Sequence, residues 1–422
     1  MSVWALRHCR THALLPARRP AHLLACRAKT TMAHCPNARG TACGDLQTPA
    51  LLLDLPAFER NCARIARLLA RTPKVAIRPH AKAHKSAAVA AMQLRALRDA
   101  GANVSGVCAQ TIAEAESMAM AGTEDAPIDV FLSNQTLGQA KVARLARLSA
   151  DKRVVLSACF DDLTNAAMVN DAVGAVGGKL AAVVEADVGQ ARCGTPTAEA
   201  AAALAKAITD GMPHLTFRGV HVYHGGIQHV RTVADRRAAA EKAHVRARAV
   251  VDACAAAGVP TESYVTGGGS GTFPFEQDTG FYTEVQPGSY FFGDCDYGAN
   301  EVPPDESNEQ SMWVLTTVIS AQPGCDWVVV DAGAKAVSTD CGPPQVYRDP
   351  ESAAALSYAC AGDEHGILRA SESGAPLPKL GETLWLRPGH VDPTTNLHTH
   401  WVIVRDGTVA DVADVDARGA GI

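Results

Sequence analysis

The sequence predicts a (β/α)8 barrel of the TIM type followed by a separate, mostly β domain. Three observations predict this. From Thr48 onward short apolar runs alternate with longer amphipathic ones, the pattern of repeated strand–helix units. Seven or eight such units fall within about 240 residues, which suits a closed barrel better than a doubly wound sheet, the runner-up architecture. Beyond Gly298 the texture changes: Pro303-Pro304-Asp305-Glu306-Ser307-Asn308-Glu309 reads as a surface connection, and the runs after it are β-type with hardly any helix.

In chain order, strands are expected at 50–53, 75–77, 104–107, 129–132, 154–158, 180–185, 219–223, 263–266 and 283–285. Helices are expected between most of them, at 86–97, 112–120, 139–148, 198–208 and 233–257. The second domain shows β runs at 313–319, 327–330, 383–386 and 401–404. The expected organisation is therefore a leader over 1–45, a barrel over 46–298 and a β domain over 299–422. The strand near 48–54 is a candidate to join the latter.

The leader differs in kind from the rest. Up to Gly44 it carries Arg7, Arg10, Arg18, Arg19, Arg27, Lys29 and Arg39 and no acidic residue; Asp45 is the first carboxylate. An acid-free, Ala- and Arg-rich leader without an uninterrupted apolar core reads as a disordered transit peptide for a mitochondrion or chloroplast, with a cytoplasmic extension as the alternative. The whole chain, at 422 residues, 47% hydrophobic, 20% charged and net charge -5, has an ordinary globular composition. That charge argues against a nucleic-acid partner, and no run of eighteen apolar residues argues for a membrane span. The thirteen cysteines form no CxxC pair and read as reduced thiols.

Chemistry-bearing residues collect at the expected strand ends, where barrel active sites form. Arg78-Pro79-His80-Ala81-Lys82-Ala83-His84-Lys85-Ser86 leaves the second strand, and Pro79 bars helix before it. Positive neighbours around Lys82 would favour its neutral, nucleophilic form, as a Schiff-base lysine requires, although a basic solvated loop has the same composition. Gln110, Ser133, Asp187, Arg192 and His224 stand at later strand ends. After the strand ending at Thr266 comes Gly267-Gly268-Gly269-Ser270-Gly271-Thr272, whose backbone N–H groups and hydroxyls suit a phosphate. No Walker lysine follows it, and a flexible turn would look alike. A phosphate cradle opposite a strand-end lysine suggests pyridoxal 5'-phosphate. Far along the chain, His390 and Asp392 stand two apart, so in extended backbone both point to one face and can share a divalent metal, Mn or Mg before Zn. His398 and His400 read as structural.

The segments Arg78-Pro79-His80-Ala81-Lys82-Ala83-His84-Lys85, Glu185-Ala186-Asp187-Val188-Gly189, Arg192-Cys193-Gly194, Tyr223-His224-Gly225, Gly267-Gly268-Gly269-Ser270, Asp331-Ala332-Gly333-Ala334-Lys335, Asp363-Glu364-His365-Gly366 and His390-Val391-Asp392-Pro393 together resemble the D-threonine aldolase and D-serine dehydratase family. These are alanine-racemase-like, fold-type III pyridoxal phosphate enzymes. The resemblance runs in the same order from about Thr48 to the C-terminus. It implies a barrel plus β domain, usually a homodimer, with Lys82 as the Schiff-base lysine. Tyr223, Arg192, Thr266, Gly268, Gly269 and Ser270 would lie around the cofactor, and His390 and Asp392 on the metal. The dehydratase branch carries His-x-Cys at the metal pair and the aldolase branch His-x-Asp, so Asp392 implies the aldolase. One departure is Gln190-Ala191, which bears on substrate preference.

The expected reaction is retro-aldol cleavage of a D-β-hydroxy-α-amino acid such as D-threonine to glycine and an aldehyde. His224, or a water on the metal, would be the base, and Arg192 would orient the cofactor ring unless it pairs with Asp187 instead. The alternatives are a D-serine or 3-hydroxyaspartate dehydratase, an amino-acid racemase, and a noncatalytic pyridoxal phosphate-binding protein.

Overall fold

The computed structural model describes residues 35–259, 261 and 263–421. Eight of its strands form one parallel ladder: β2 (Ala76–Ile77), β3 (Val107–Ala109), β4 (Ile128–Leu132), β5 (Val154–Phe160), β6 (Leu180–Glu185), β7 (Leu215–His221), β8 (Val265–Gly267) and β9 (Glu284–Val285). Their order is β2-β9-β8-β7-β6-β5-β4-β3, and parallel bridges from Ile77 to Val104 and from His80 to Cys108 join the two end strands. The sheet thus closes on itself, as the barrel reading requires.

The helices α1 (Leu55–Leu69), α2 (Ala87–Asp99), α3 (Ile112–Ala119), α4 (Gln139–Ser149), α5 (Leu163–Ala175), α6 (Ala198–Gly211) and α7 (Val233–Ala256) lie between strands. Their starts are written locally: Asp54, Ser86, Thr111, Asp162, Thr197 and Thr232 each accept an N–H of the first turn through the side chain. Inward residues such as Val107, Val130, Leu156, Val184 and Val220 are buried with the inner faces of these helices.

Several strand limits differ from expectation by a few residues, and two of them bear on the site. The third strand begins at Val107 rather than at 104, because Gly106 takes φ +144° and brings its backbone against the Asp129 carbonyl. The strand expected at 219–223 ends at His221, so Tyr223 and His224 belong to the loop that follows.

The remaining strands make the second sheet: β10 (Met312–Ser320), β11 (Trp327–Val330), β12 (Gln345–Asp349), β13 (Ser352–Ala353), β14 (Leu356–Cys360), β15 (Gly366–Ala370), β16 (Thr383–Arg387), β17 (His400–Arg405) and β18 (Thr408–Asp414). β1 (Ala50–Asp54) belongs here and not to the barrel. It pairs antiparallel with β10 and parallel with β17. Residues 35–45, expected within the leader, also join this sheet: the Gly40 and Cys43 N–H groups donate to the carbonyls of Val409 and Gly407, and Arg39 pairs with Asp411 at 2.7 Å. The rest of the leader lies outside the described residues, among which no helix is long and apolar enough to cross a membrane.

One apolar cluster spans the two sheets and sets the site. Phe58, Ile65, Phe291, Phe292, Val391 and Trp401 are buried in it. Trp401 stacks on Phe292 at 5.5 Å and donates its Nε1 hydrogen to the His84 carbonyl at 2.9 Å. Thr395 likewise donates to the Ala83 carbonyl at 2.9 Å. The C-terminal segment is thereby pinned to the turn that carries Lys82.

Candidate active site

β2 ends at Ile77, and a single 3-10 turn, Ala81–Ala83, follows with His80 at its start. The His80 ring accepts the Lys82 N–H at 3.3 Å, and Lys82 Nζ reaches Asp392 Oδ2 at 2.9 Å. The two clusters that the sequence holds farthest apart therefore meet.

The electrostatics expected around Lys82 are overturned. Asp392 holds its ammonium above the ordinary lysine value, although burial works against it. The supposed positive neighbours are spent elsewhere. Arg78 turns into the barrel, fully buried, with Nε 2.9 Å from Glu284 and Nη1 2.8 Å from Asp129. Lys85 bonds Asn396 at 2.8 Å, and burial lowers His80 and His84 to about 3, so both are neutral. Burial is the largest single influence on Asp392 and pushes its carboxyl up, but Lys82 and His390 together hold it below the usual carboxylate range.

Lys82 opens into a cavity lined by His80, Gln110, Ser133, Arg192, His221, Tyr223, Gly269, Ser270, Gln286, Gly288, Ser289 and Tyr297. Gln110 and Ser133, both strand-end residues, hold His80 through contacts of 3.2 and 3.4 Å. The Arg192 guanidinium lies 5.6 Å from the Tyr223 ring centre. Arg192 makes no ion pair with Asp187, whose Oδ1 accepts the N–H groups of Gly189, Gln190 and Ala191 at 2.8–3.0 Å. The departing residue Gln190 accepts the Gly225 N–H at 2.7 Å and so fixes the loop after β7.

The glycine run contributes less freely than its composition suggests. Thr266 is fully buried behind the cavity, donating to Glu284 at 2.8 Å and accepting from Gln286 at 2.7 Å. Gly268 makes the turn at φ +70° and does not line the cavity. The N–H groups of Gly271 and Phe273 are consumed by Gln228 and the Gly269 carbonyl. Gly269 and Ser270 do line the cavity. Ser270 Oγ accepts the Gly288 and Tyr290 N–H groups at 3.2 and 3.0 Å, which leaves its own proton to donate outward. A Cβ at Gly269 would meet Gln228 Oε1 at 2.5 Å, so the loop is built for close approach.

These residues fit a phosphorylated pyridine aldehyde. There is a lysine at one end, a hydroxyl and glycine cradle at the other, and between them a buried His221 whose Nε2 has no partner. His221 is held behind by Glu185 at 3.4 Å and stacks with Tyr223 at 1° between ring planes. Gln286, Gly288 and Tyr297 were missed by the sequence reading, yet Gln286 is the polar residue just past β9, the signal used at the other strands.

The metal pair is arranged differently from expectation. His390 is extended and precedes the short helix Val391–Thr395, which contains Asp392, so the two are not alternate residues of one strand. His390 Nδ1 contacts Asp340 Oδ2 at 2.8 Å, and Asp340, Cys341 and His390 form a candidate metal-binding cluster with ligand atoms within 4.8 Å of one another. Asp392 is half-buried against Lys82, and its buried Oδ1 has no partner, a carboxylate oxygen that suits a cation.

His224, the expected base, is not among the cavity-lining residues; it sits near Asp187, Gly189 and Arg246. His229, one 3-10 turn later, is likewise not among the lining residues, but it packs at a tilt against the cavity residue Tyr297, with ring centres 4.4 Å apart, and its Nδ1 lies 2.9 Å from Asp296. Asp363 and Glu364 are exposed partners of Lys335 in the β14–β15 turn, and His398 Nε2 donates to the Ala336 carbonyl at 2.7 Å.

Comparison with known proteins agrees with this architecture. Residues 53–296 match the alanine racemase N-terminal domain and residues 311–404 the putative serine dehydratase domain. A D-threonine aldolase of Arthrobacter sp is 39% identical over 384 residues, covering 91% of this chain and 96% of that one. The chain belongs to the D-threonine aldolase family of alanine-racemase-like, fold-type III enzymes. Within this family, a 3-hydroxy-D-aspartate aldolase of Paracoccus denitrificans (strain Pd 1222) is 39% identical over 383 residues, 89% of this chain and 93% of that one. The crystal structure of D-threonine aldolase from Filomicrobium marinum superposes with a TM-score of 0.82 at 36% identity, covering 91% of this chain and 98% of that one.

Proposed function

We propose that this chain is a pyridoxal phosphate- and divalent-metal-dependent lyase that cleaves D-threonine and related D-β-hydroxy-α-amino acids to glycine and an aldehyde. The observation that carries the reading is the 2.9 Å contact between Lys82 Nζ and Asp392 Oδ2, which puts the cofactor lysine and the metal carboxylate in one site.

Lys82 would hold the cofactor covalently, Ser270 with Gly269 its phosphate, and Arg192, Tyr223, His221 and Gln286 its ring. His390 and Asp392 would hold the cation, Mn or Mg. When bound, the cofactor supplies an electron sink at Cα and the cation a positive charge at the substrate's β-oxygen. The chain's residues do the rest. The Asp296 carboxylate, 2.9 Å from His229 Nδ1, favours the proton on that nitrogen, so Nε2 presents its lone pair and takes the β-hydroxyl proton as the Cα–Cβ bond breaks. Burial lowers the His229 pKa despite Asp296, so the ring is neutral when the substrate arrives. The aldehyde leaves and Cα gains a proton, giving glycine. Neutral His80 and Tyr223, held protonated by burial, add no competing charge beside Lys82.

The family resemblance supports a homodimer, measurable by light scattering. The acid-free leader supports import into an organelle, measurable by the location of a fluorescent fusion. To test the activity, protein loaded with cofactor and Mn is given D-threonine and D-serine, with and without EDTA. Equal amounts of glycine and acetaldehyde from D-threonine, abolished by EDTA, are expected. Oxoacid and ammonia instead would assign a dehydratase.

A further inference from the structure

Beside the proposed site, two side chains that serve no step described above meet His390 from a separate loop. Asp340 and Cys341 stand between β11 and β12, and His390 arrives from the loop after β16. The Cys341 Sγ lies 3.6 Å from His390 Nδ1 and 3.6 Å from Asp340 Oδ2. Nδ1 and Oδ2 are 2.8 Å apart. Around tetrahedral zinc, bonds of about 2.3 Å to sulfur and about 2.0–2.2 Å to nitrogen or oxygen set the ligand atoms about 3.4–3.6 Å apart. Both sulfur distances already match. The one edge that must open is the N–O edge, by about 0.6 Å, where a hydrogen bond gives way to two metal bonds. Asp296, close to the thiol, or a water can complete the four.

We propose that Asp340, Cys341 and His390 form a thiolate-containing cation site, distinct from the His390–Asp392 pair, that takes Zn2+ and switches the enzyme off. A thiolate prefers a soft ion, whereas carboxylate and imidazole without sulfur accept Mn or Mg. Binding releases the thiol proton to solvent and involves no redox change. The switch follows from the imidazole, because a neutral ring has one lone pair. With Nδ1 protonated and bonded to Asp340, Nε2 is free for the catalytic cation. With zinc on Nδ1, the proton moves to Nε2, which then has no lone pair to offer. This second half rests on the reading of His390 as a ligand of the catalytic cation.

The test uses protein loaded with pyridoxal phosphate and Mn, as wild type and as Cys341→Ser. Iodoacetamide labelling of Cys341, an exposed thiol, is followed by peptide mass spectrometry with ZnCl2 or MnCl2 added. Zinc should slow labelling about ten-fold or more and manganese should not. Zinc should also inhibit D-threonine cleavage, and Cys341→Ser should raise the inhibitory zinc concentration about ten-fold or more. The variant should keep its Mn-supported rate within about two-fold, since its side chain touches no reacting atom. Labelling unchanged by zinc would overturn the site. Protection with equal inhibition of both proteins would overturn the switch. A protein that cleaves no D-threonine would count against the proposed function instead, and labelling would still decide the site.

Discussion

Arg78→Met removes the cation on which the barrel interior behind the cavity depends. The guanidinium is fully buried and donates to Glu284 at 2.9 Å and to Asp129 at 2.8 Å, with the Val107 carbonyl at 3.3 Å. Asp129 keeps a second partner, Arg218, at 3.0 Å. Glu284, 2% exposed, keeps only hydroxyl donors: Tyr264 at 3.0 Å and Thr266 at 2.8 Å. Breaking one side of such a buried pair costs about 3–5 kcal/mol, and here the lower end applies because only one carboxylate is left unpaired. Equilibrium urea unfolding should therefore show Arg78→Met less stable by about 3 kcal/mol. The double variant with Glu284→Gln should recover to within about 1 kcal/mol, since the neutral amide still accepts both hydroxyls. Because Thr266 links Glu284 to the cavity residue Gln286, the single variant should also bind cofactor more weakly. A loss below about 1 kcal/mol in the single variant, or no recovery in the double, would refute this reasoning.

Two further predictions bear on the histidines. His229→Asn should lower kcat for D-threonine about 100-fold while His224→Asn stays within a few-fold, read from steady-state kinetics; the reverse order would restore His224 as the base. His398 is half-buried, and loss of hydration around its ring lowers it to about 4 from 6.5. Protonation is thus disfavoured in the fold, and the stability His398 contributes is complete above pH 6.5 and falls as pH drops toward 4. The drop is worth about 3 kcal/mol, so urea midpoints should decline over that window, and less so for His398→Gln.

Much of the fold was legible because hydrophobic period is a local property. The helix expected at 198–208 is α6, Ala198–Gly211, and the run at 327–330 is β11 without change. β1 shows where locality ends: its apolar run says strand, but its neighbours β10 and β17 come from the far end of the chain. The same limit governed the site. Lys82 could be placed at a strand end, but the charge it feels could not. Arg78, four residues away, turns inward to Glu284, and the residue that sets the lysine's state is Asp392. His224 and His229 are separated by the turn Gly225–Ile227 and Gln228, and the geometry of that turn decides which ring faces Tyr297. Asp340 and Cys341 carried no motif, because their meaning arises from a contact with His390 across two loops.

The account turns on Lys82 and Asp392 acting in one site with divided tasks, the lysine for the cofactor and the carboxylate for the cation. Asp392→Asn separates them. The variant should still take up pyridoxal phosphate, with visible absorbance that borohydride fixes covalently on Lys82, while its Mn-dependent glycine release from D-threonine falls about 100-fold or more. A variant that keeps both the bound cofactor and wild-type glycine release would contradict the account.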